Sequence, residues 1–500
     1  MRRYPIILAL LIIILIGAYY FAEKSLFDKN PPSIVNLSWT PTRENLDKIY
    51  DINVTFVARD DKTPISYAEL RFIPVEYYYM IEKYGMRAED YPKVFPPDKE
   101  RVLILTPADG KFDSLEERFS VSIRDIVGGR EYRIVVLVKD SAGNERAAEV
   151  KTPYIRQFEN IAKTDDITVM ATYLLWYRAD GSNWKDGHKH QPLMGEYVSN
   201  DPVVMSKHID WATGHGIDGF FVSWSGYEEG DIKYFDSNLK MLLSNPLAPQ
   251  IKIAILYESI GRLINSNPGW NLDDERNIQI LKNDLSYIAE NYFSHPSYLR
   301  VNGKPVIYFY EGKGVFADNI QDLTQKMNEI RAYIKDKYST DIYLISDHAH
   351  PLADPPMNVF DTNIKWGEAA RLFDSMTSYG GYSKEFASPQ DTYLSYLKQG
   401  FEKWYNFAKN NNLGFIPFAV VGYDPRYVSW GDKTAVPIER DPEKFYERLR
   451  LASCYMDNTK ILWIHEFNNF FEDTQIEPTV EEGFVFLETL KNFLQNYNSK

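Results

Sequence analysis

The chain lacks the cysteine pairs that cross-link a protein and the excess of basic residues that nucleic-acid binding needs. Cys454 is its single cysteine, so no disulfide forms within the chain, and in a helix-like run it packs as a small hydrophobe more often than it reacts. Lys and Arg number 56 against 70 Asp and Glu, for a net charge of −14. Nucleic-acid binding needs a basic face, so we predict no nucleic-acid partner. No glycine-rich phosphate loop follows any predicted strand.

Aromatic residues, in contrast, are abundant and make up 15% of the chain. Sugar-binding clefts use such rings as apolar platforms with a polar edge, although any single ring more often belongs to a core. Five hundred residues exceed what one hydrophobic core organises, so the sequence predicts two or more domains.

The N-terminal sequence predicts a membrane anchor. Arg2 and Arg3 precede an uncharged, mostly apolar run from Tyr4 to Ala22. About 20 such residues span a bilayer, and a basic start stays inside. We therefore predict a transmembrane signal-anchor within residues 1–28, a single pass through the cell membrane, and the bulk of the chain outside the cytoplasm. A cleaved signal peptide is the alternative; it fits less well because the run is long and no small-x-small site follows.

Residues 31–156 are predicted to form an all-β domain. Segments of alternating hydrophobicity are separated by turn signals such as Asp60-Asp61 and Gly128-Gly129. The final pair of segments is typical of an immunoglobulin- or fibronectin-like sandwich, with the modest role of a spacer or binding module. The predicted strands are Asp51–Ala58, Ala68–Ile73, Phe119–Ile123, Tyr132–Lys139 and Ala147–Lys151.

Residues 160–500 show a different pattern, in which short apolar strands alternate with amphipathic helices. Eight such alternations predict a (β/α)₈ TIM barrel. The full predicted fold is thus multi-domain: a transmembrane helix, a β-sandwich and a barrel. The predicted barrel strands are Thr168–Leu175, Gly219–Trp224, Lys252–Tyr257, Pro305–Tyr310, Asp341–Ser346, Val359–Ile364, Phe415–Val421 and Ile461–Ile464.

Carboxylates and aromatic residues follow these strands, at the end where barrel enzymes keep their chemistry. Such a mouth suits a carbohydrate, since glycosidases flank the scissile bond with two carboxyl groups. Histidines in this region have too weak a ligand spacing to predict a metal. The residues that follow the strands include Tyr177, His190, Trp224, Glu258, Arg262, Glu311, Trp366, Tyr423, Asp424, Trp430, Glu466, Asn468, Asn469 and Glu472.

The last predicted strand leads into the most informative segment, His465–Pro478 (HEFNNFFEDTQIEP). It resembles the Asn-Glu-Trp-x-Glu-Gly-Thr-Gln-Ile-Glu signature of glycoside hydrolase family 99, the endo-α-mannosidases and their relatives. In that family the two glutamates three residues apart are the catalytic pair. Aligned back from Thr474, the chain has Asn469 at the first glutamate and Glu472 at the second.

Further motifs extend the resemblance over residues 167–493, and none of it covers the β domain. Several motifs in the right order are more specific than any one of them. Tyr257–Arg262 departs from the family pattern, because it is shortened and lacks a proline. The other matching segments are Tyr173–Tyr177, His190–Pro192, Gly195–Pro202, Gly216–Trp224 and Phe415–Trp430.

The resemblance implies a role for each of the two glutamates. The first removes a proton from the sugar's own 2-hydroxyl, which attacks the anomeric carbon; the second is general acid and then general base. Glu472 inherits the second role and needs a raised pKa. The first role is vacant, because the amide of Asn469 accepts no proton. Three explanations remain open: Glu466 replaces it, Glu258 or another mouth carboxylate does, or the protein binds glycan without cleaving it.

We therefore expect an outward-facing, membrane-anchored glycosidase that cleaves an α-mannose-type glycan internally, with retention and without cofactor or metal. The alternative is an inactive glycan-binding protein or a polysaccharide-assembly factor on the same barrel. The expected catalytic residues are Glu472, Glu466 and Glu258. The expected substrate-binding residues are Tyr177, His190, Trp224, Arg262, Trp366, Tyr423, Asp424, Trp430, Asn468 and Asn469.

Overall fold

The structure is a computed structural model that describes residues 28–45, 48–163, 166–228, 233–266, 269–349, 354–379 and 390–497. These residues form two compact units. The first contains the chain up to Tyr77 together with Phe95–Glu159. The second contains Tyr78–Val94 and the chain from Asn160 onward.

The first unit consists of two antiparallel sheets around one core. In one sheet the strand order is β1-β2-β5, and in the other it is β4-β3-β6-β7. Every second residue of β6 is buried, which is the pattern of a sheet with one face in a core. The strands are β1 (Ser33–Asn45), β2 (Lys48–Arg59), β3 (Ile65–Pro74), β4 (Arg101–Ile104), β5 (Glu116–Ile123), β6 (Tyr132–Asp140) and β7 (Glu145–Lys151).

The second unit is built on a parallel sheet with the order β17-β16-β15-β13-β10-β9-β8-β19-β18, which is consistent with a TIM-like barrel. The two strands at the ends of this order are neighbours in the chain, separated only by Ile416 and Pro417. The main strands are β8 (Thr168–Tyr173), β9 (Gly219–Trp224), β10 (Lys252–Glu258), β13 (Lys304–Tyr310), β15 (Tyr343–Ser346), β16 (Ser375–Met376), β17 (Gly414–Phe415), β18 (Phe418–Ala419) and β19 (Ile461–Ile464). The remaining short strands are β11 (Trp270–Asn271), β12 (Arg300–Val301) and β14 (Val315–Phe316).

Helices follow most of the sheet strands. The helix Pro202–Gly214 begins at Asp201, whose side chain accepts the N–H of Val203 at 2.8 Å and so caps the helix. The helices are Tyr79–Tyr84, Tyr91–Val94, Pro202–Gly214, Lys233–Ser244, Ser259–Arg262, Glu275–Asn291, Ile320–Tyr338, Trp366–Ala370, Gln390–Asn410, Pro442–Ser453 and Val485–Tyr497.

The predicted fold class requires correction. Within the described part of the chain, no helix is both long and apolar enough to cross a lipid bilayer. The run predicted to do so, Tyr4 to Ala22, lies outside the described residues. The first unit is a pair of antiparallel sheets, and an immunoglobulin-like identity is not established for it. What the structure supports is the TIM-like parallel sheet.

One predicted barrel strand is also wrong. Residues Val359–Ile364 form a turn, in which the N–H of Val359 donates to the carbonyl of Ile364 at 2.7 Å. Both residues are buried, so a turn closed by two apolar residues has the same pattern as a short strand. The sixth position of the sheet is filled by Ser375–Met376, which pairs with β15 and β17.

Candidate active site

Glu466 lies two residues beyond β19 and is almost fully buried, with 1% of its surface exposed. The hydroxyl of Tyr379 donates to Glu466 Oε1 at 2.6 Å, and the hydroxyl of Thr474 donates to Oε2. Tyr379 follows β16, so the sixth and eighth sheet positions together supply this contact. A backbone bridge between Glu466 and Gln475 holds Thr474 beside the carboxyl group. Glu466 therefore has a fixed position.

Glu472 lies in a tight turn that Asn469 stabilises. Asn469 Oδ1 accepts the N–H of Phe471 at 3.1 Å and the N–H of Glu472 at 3.3 Å. Its Nδ2 donates to Glu472 Oε2 at 3.0 Å. The following residue, Asp473, has φ +59°, a left-handed conformation that short polar residues tolerate. The turn leaves Glu472 partly exposed.

The two carboxyl groups influence each other electrostatically. Burial raises the pKa of Glu466 to about 8, and the nearby charge of Glu472 contributes to this rise. Hydrogen bonds from Thr474, Tyr379 and Asn469 act in the opposite direction. At neutral pH the pair therefore retains a proton, because ionising both carboxyl groups places two like charges in a buried site. We treat this proton as belonging to the pair.

A second pair of carboxyl groups lies at the ends of β10 and β13. Glu258 accepts a hydrogen bond from Ser223 Oγ at 2.7 Å, and burial together with the charge of Glu311 raises its pKa to about 7. Glu311 has φ +55°, and burial and the charge of Asp347 raise its pKa to about 7 as well. Lys313 lies 3.3 Å from Glu311 and lowers this pKa. Both groups thus titrate near neutral pH, in the range useful for proton transfer.

Tyr310 connects the two pairs. Burial is the main cause that raises its pKa, and the charges of Glu311, Glu258 and Glu472 raise it further. Its ring packs edge-on against that of Tyr379, with ring centres 4.4 Å apart. Since Tyr379 also binds Glu466, both carboxyl pairs face one mouth of the sheet.

Two of the predicted substrate-binding residues are engaged within the protein. Tyr177 is fully buried and donates its hydroxyl proton to the carbonyl of Asn468 at 2.7 Å. The amide of Asn468, also buried, pairs with the backbone of Leu174 through bonds of 2.8 and 2.9 Å. These contacts fix the segment that carries Glu466 and Glu472 to the end of β8.

His190 and Asp424 belong to a charged network at the rim. His190 Nδ1 lies 2.5 Å from Asp473 Oδ1. Asp424 accepts two hydrogen bonds from Arg426 and lies 3.2 Å from Lys189. The backbone N–H of Asp424 also donates to the carbonyl of Glu472 at 2.8 Å, so this network supports the turn that contains Glu472.

Trp224 and Arg262 are engaged by carboxylates of neighbouring elements. Trp224 is fully buried, and its Nε1 donates to Asp236 at 3.1 Å. Arg262 pairs with Asp284 at 2.5 Å and with Glu228 at 2.7 Å. Both residues lie at or after strand ends, as predicted, but these carboxylates take up their polar groups.

The sequence predicts that Trp366 follows the sixth strand. In the structure the sixth strand is β16 (Ser375–Met376), so Trp366 precedes it. Trp366 begins the short helix Trp366–Ala370, and its Nε1 donates to the carbonyl of Asn358 at 2.8 Å. The residues that actually follow the sixth strand run from Thr377 to Tyr379.

Trp430 and Tyr423 lie close to the turn that contains Glu472. Trp430 is 58% exposed, and its ring packs edge-on against Phe471, with ring centres 5.9 Å apart. Burial raises the pKa of Tyr423, and the charge of Glu472 is the next largest cause. The exposed indole of Trp430, next to Phe471, is a suitable platform for a sugar ring.

Sequence reasoning missed three residues of the mouth, Tyr379, Thr474 and Tyr310, and named Glu311 without giving it a role. Glu311 and Tyr310 had a usable signal, since they follow and end a predicted strand. Thr474 belongs to the family signature, which gave no hint that its hydroxyl binds Glu466. Tyr379 had no signal, because the strand before it has only two residues.

A TIM-like barrel with a pair of carboxyl groups at its strand ends is an arrangement typical of glycosidases. The family model of glycosyl hydrolase family 99 matches residues 177–492, and the chain belongs to that family. This membership confirms the resemblance seen in the sequence.

Named relatives are similar to part of the chain. A glycoprotein endo-alpha-1,2-mannosidase of Xenopus laevis is 25% identical over 306 residues, covering 59% of each protein. A glycoprotein endo-alpha-1,2-mannosidase-like protein of Homo sapiens is 26% identical over 302 residues, covering 59% of this chain and 58% of its own length. The chain thus spans under two thirds of these relatives. A solved glycoside hydrolase-like protein, 20% identical, superposes with TM-score 0.55 over 67% of this chain and 96% of its own, which shows the shared fold.

Proposed function

We propose that the protein is a retaining, endo-acting glycoside hydrolase for α-mannose-type glycans, with Glu466 and Glu472 as its catalytic pair. The observation that carries the proposal is the juxtaposition of these two carboxyl groups, one of them buried, with the amide of Asn469 between them. The names of the relatives support mannose as the sugar. The first of the three explanations for Asn469 is therefore the one we adopt.

The reaction needs one proton on the pair. One carboxylate removes the proton of the sugar 2-hydroxyl while O2 forms a bond to the anomeric carbon. The bond from that carbon to the leaving oxygen breaks, and the other carboxyl group donates its proton to that oxygen. Water then attacks the anomeric carbon and gives a proton to the second carboxylate. The bond between O2 and the anomeric carbon breaks, and the first carboxyl group returns its proton to O2. Two inversions at the anomeric carbon give retention.

A panel of α-mannans and α-glucans tests this function. We expect the chain from Lys29 onward to release oligosaccharides, rather than single sugars, from at least one α-mannan. The α-glucans are the matched controls. The products are followed by chromatography and their anomeric configuration by NMR immediately after cleavage. Release of monosaccharides only, or of initial products with inverted configuration, contradicts the proposal.

Glycan binding without hydrolysis is the second candidate, and Asn469 is the observation that favours it. If the buried Glu466 does not meet the substrate, it does not replace the carboxylate that is absent at position 469. Micromolar binding of a mannan with no product after prolonged incubation is the result that this candidate predicts, and it excludes the first proposal.

We also propose that the barrel meets its glycan outside the cytoplasm. The basic residues Arg2 and Arg3 followed by an uncharged run support this location. Protease added to intact cells is expected to degrade the barrel while leaving a cytoplasmic marker whole. Protection of the barrel until the cells are lysed contradicts this location.

A further inference from the structure

The amide of Asn469 forms several hydrogen bonds in the turn that contains Glu472. Its oxygen accepts two backbone N–H groups, those of Phe471 and Glu472. Its nitrogen donates to the carboxylate of Glu472 at 3.0 Å. The Asn469 side chain also lowers the pKa of Glu466, so it favours the ionised form of that group. The amide therefore binds one member of the pair and influences the ionisation of the other.

A glutamate at this position changes each of these contacts. A carboxylate has no N–H to donate, so Glu472 loses a partner. A third negative charge next to Glu466 and Glu472 makes ionisation of any one of them more costly. The extra methylene also displaces the oxygen that now accepts the two backbone N–H groups. The residue typical of the family signature is thus unsuited to this site as long as Glu466 is present.

We propose, resting on the proposed function, that positions 466 and 469 are alternative locations for the catalytic base and that only one of them accommodates a carboxylate. Here Glu466 carries the base. Asn469 is a positioning residue that orients Glu472 and separates it from Glu466. Compared with the family signature, the base lies three residues earlier in the segment, at position 466. The amide at position 469 now holds Glu472 by a hydrogen bond.

Four variants test this inference: Asn469→Glu, Asn469→Gln, Glu466→Gln and the double variant Glu466→Gln/Asn469→Glu. We expect Asn469→Glu to lower kcat/KM by at least about tenfold, because the added charge disturbs the pair. Asn469→Gln adds the same methylene as Asn469→Glu but no charge, so it should lose less activity than Asn469→Glu, and the difference between these two variants measures the effect of the charge. The double variant should exceed Glu466→Gln by about tenfold or more, a coupling expected for neighbouring sites.

Two outcomes separate failure of the inference from failure of the proposed function. An active wild type with an Asn469→Glu variant of equal or greater activity overturns the inference alone. An inactive wild type overturns the function, and melting temperatures then decide the remaining part of the inference, that only one of the two positions accommodates a carboxylate. Asn469→Glu should melt below Asn469→Gln, with a gap that widens as pH rises towards about 8, because a carboxyl group with a raised pKa loses stability as it ionises. Removing Glu466 should narrow this gap; an unchanged gap overturns the inference.

Discussion

Replacing Glu472 by glutamine is expected to lower kcat on a cleaved mannan by a factor of about 10²–10⁴, the usual contribution of a general acid–base group. The amide oxygen of glutamine still accepts the hydrogen bond that Asn469 donates to this side chain. The turn and the affinity for glycan should therefore remain. Steady-state kinetics measures the loss of kcat, and calorimetry with the variant and the uncleaved glycan measures the affinity.

A surface carboxylate provides the matched control for this experiment. Glu447 lies on the helix Pro442–Ser453, and its side chain is 40% exposed. Glu447→Gln removes the same charge from the protein as a whole and should leave kcat unchanged. If Glu472→Gln turns over at the wild-type rate, Glu472 is not the acid–base residue and the mechanism proposed above is wrong.

The fold could be predicted where both faces of a strand are buried. β9 and β19 consist entirely of buried residues, so their sequences are mostly apolar runs bounded by polar residues. The sixth strand has only two residues, Ser375 and Met376, and two residues show no periodicity. Its neighbours in the sheet position it, which is information that a local pattern does not contain.

The site could be predicted where its residues are close in the chain. Glu466, Asn469 and Glu472 lie within one turn segment, so a motif names them together. Trp224 and Arg262 show the limit of this reasoning. A position after a strand fixes the end of the barrel at which a residue lies but not the direction of its side chain, and both side chains pair with Asp236 or Asp284.

Replacing Glu466 by glutamine is the second change with a large expected effect, a loss in kcat/KM of about 10²-fold or more, because the pair then has one group to exchange protons instead of two. Glu258→Gln is the comparison, since Glu258 was the other candidate for the base. We expect Glu258→Gln to lower kcat/KM by less than about tenfold. Glu258 belongs to the second carboxyl pair, where Glu311 is the charge that affects its pKa. The reverse order of these two losses would transfer the role of base to Glu258.

The pH dependence of wild-type activity should reflect the titration of the Glu466–Glu472 pair. The productive state carries one proton on the pair, held by Glu472 when Glu466 acts as the base, and the pair loses this last proton as pH rises through about 8. Activity should therefore fall above about pH 8. Tyr379→Phe removes a hydrogen bond that lowers the pKa of Glu466, so its alkaline limb should move to higher pH. A limb that does not move in this variant would show that another group controls it.

Stability should change in the opposite sense from activity when Glu466 is replaced. A carboxyl group whose pKa is raised on folding binds its proton more tightly in the folded state, so the protein loses stability as pH rises from the unfolded pKa towards about 8. A glutamine side chain at this position does not ionise and avoids this loss. The melting temperature of Glu466→Gln should therefore exceed that of the wild type by an amount that grows with pH up to about 8.

A variant that is less active and yet more stable at alkaline pH identifies Glu466 as a group kept for chemistry at the expense of stability. A variant that is less stable at every pH would instead make Glu466 a structural residue.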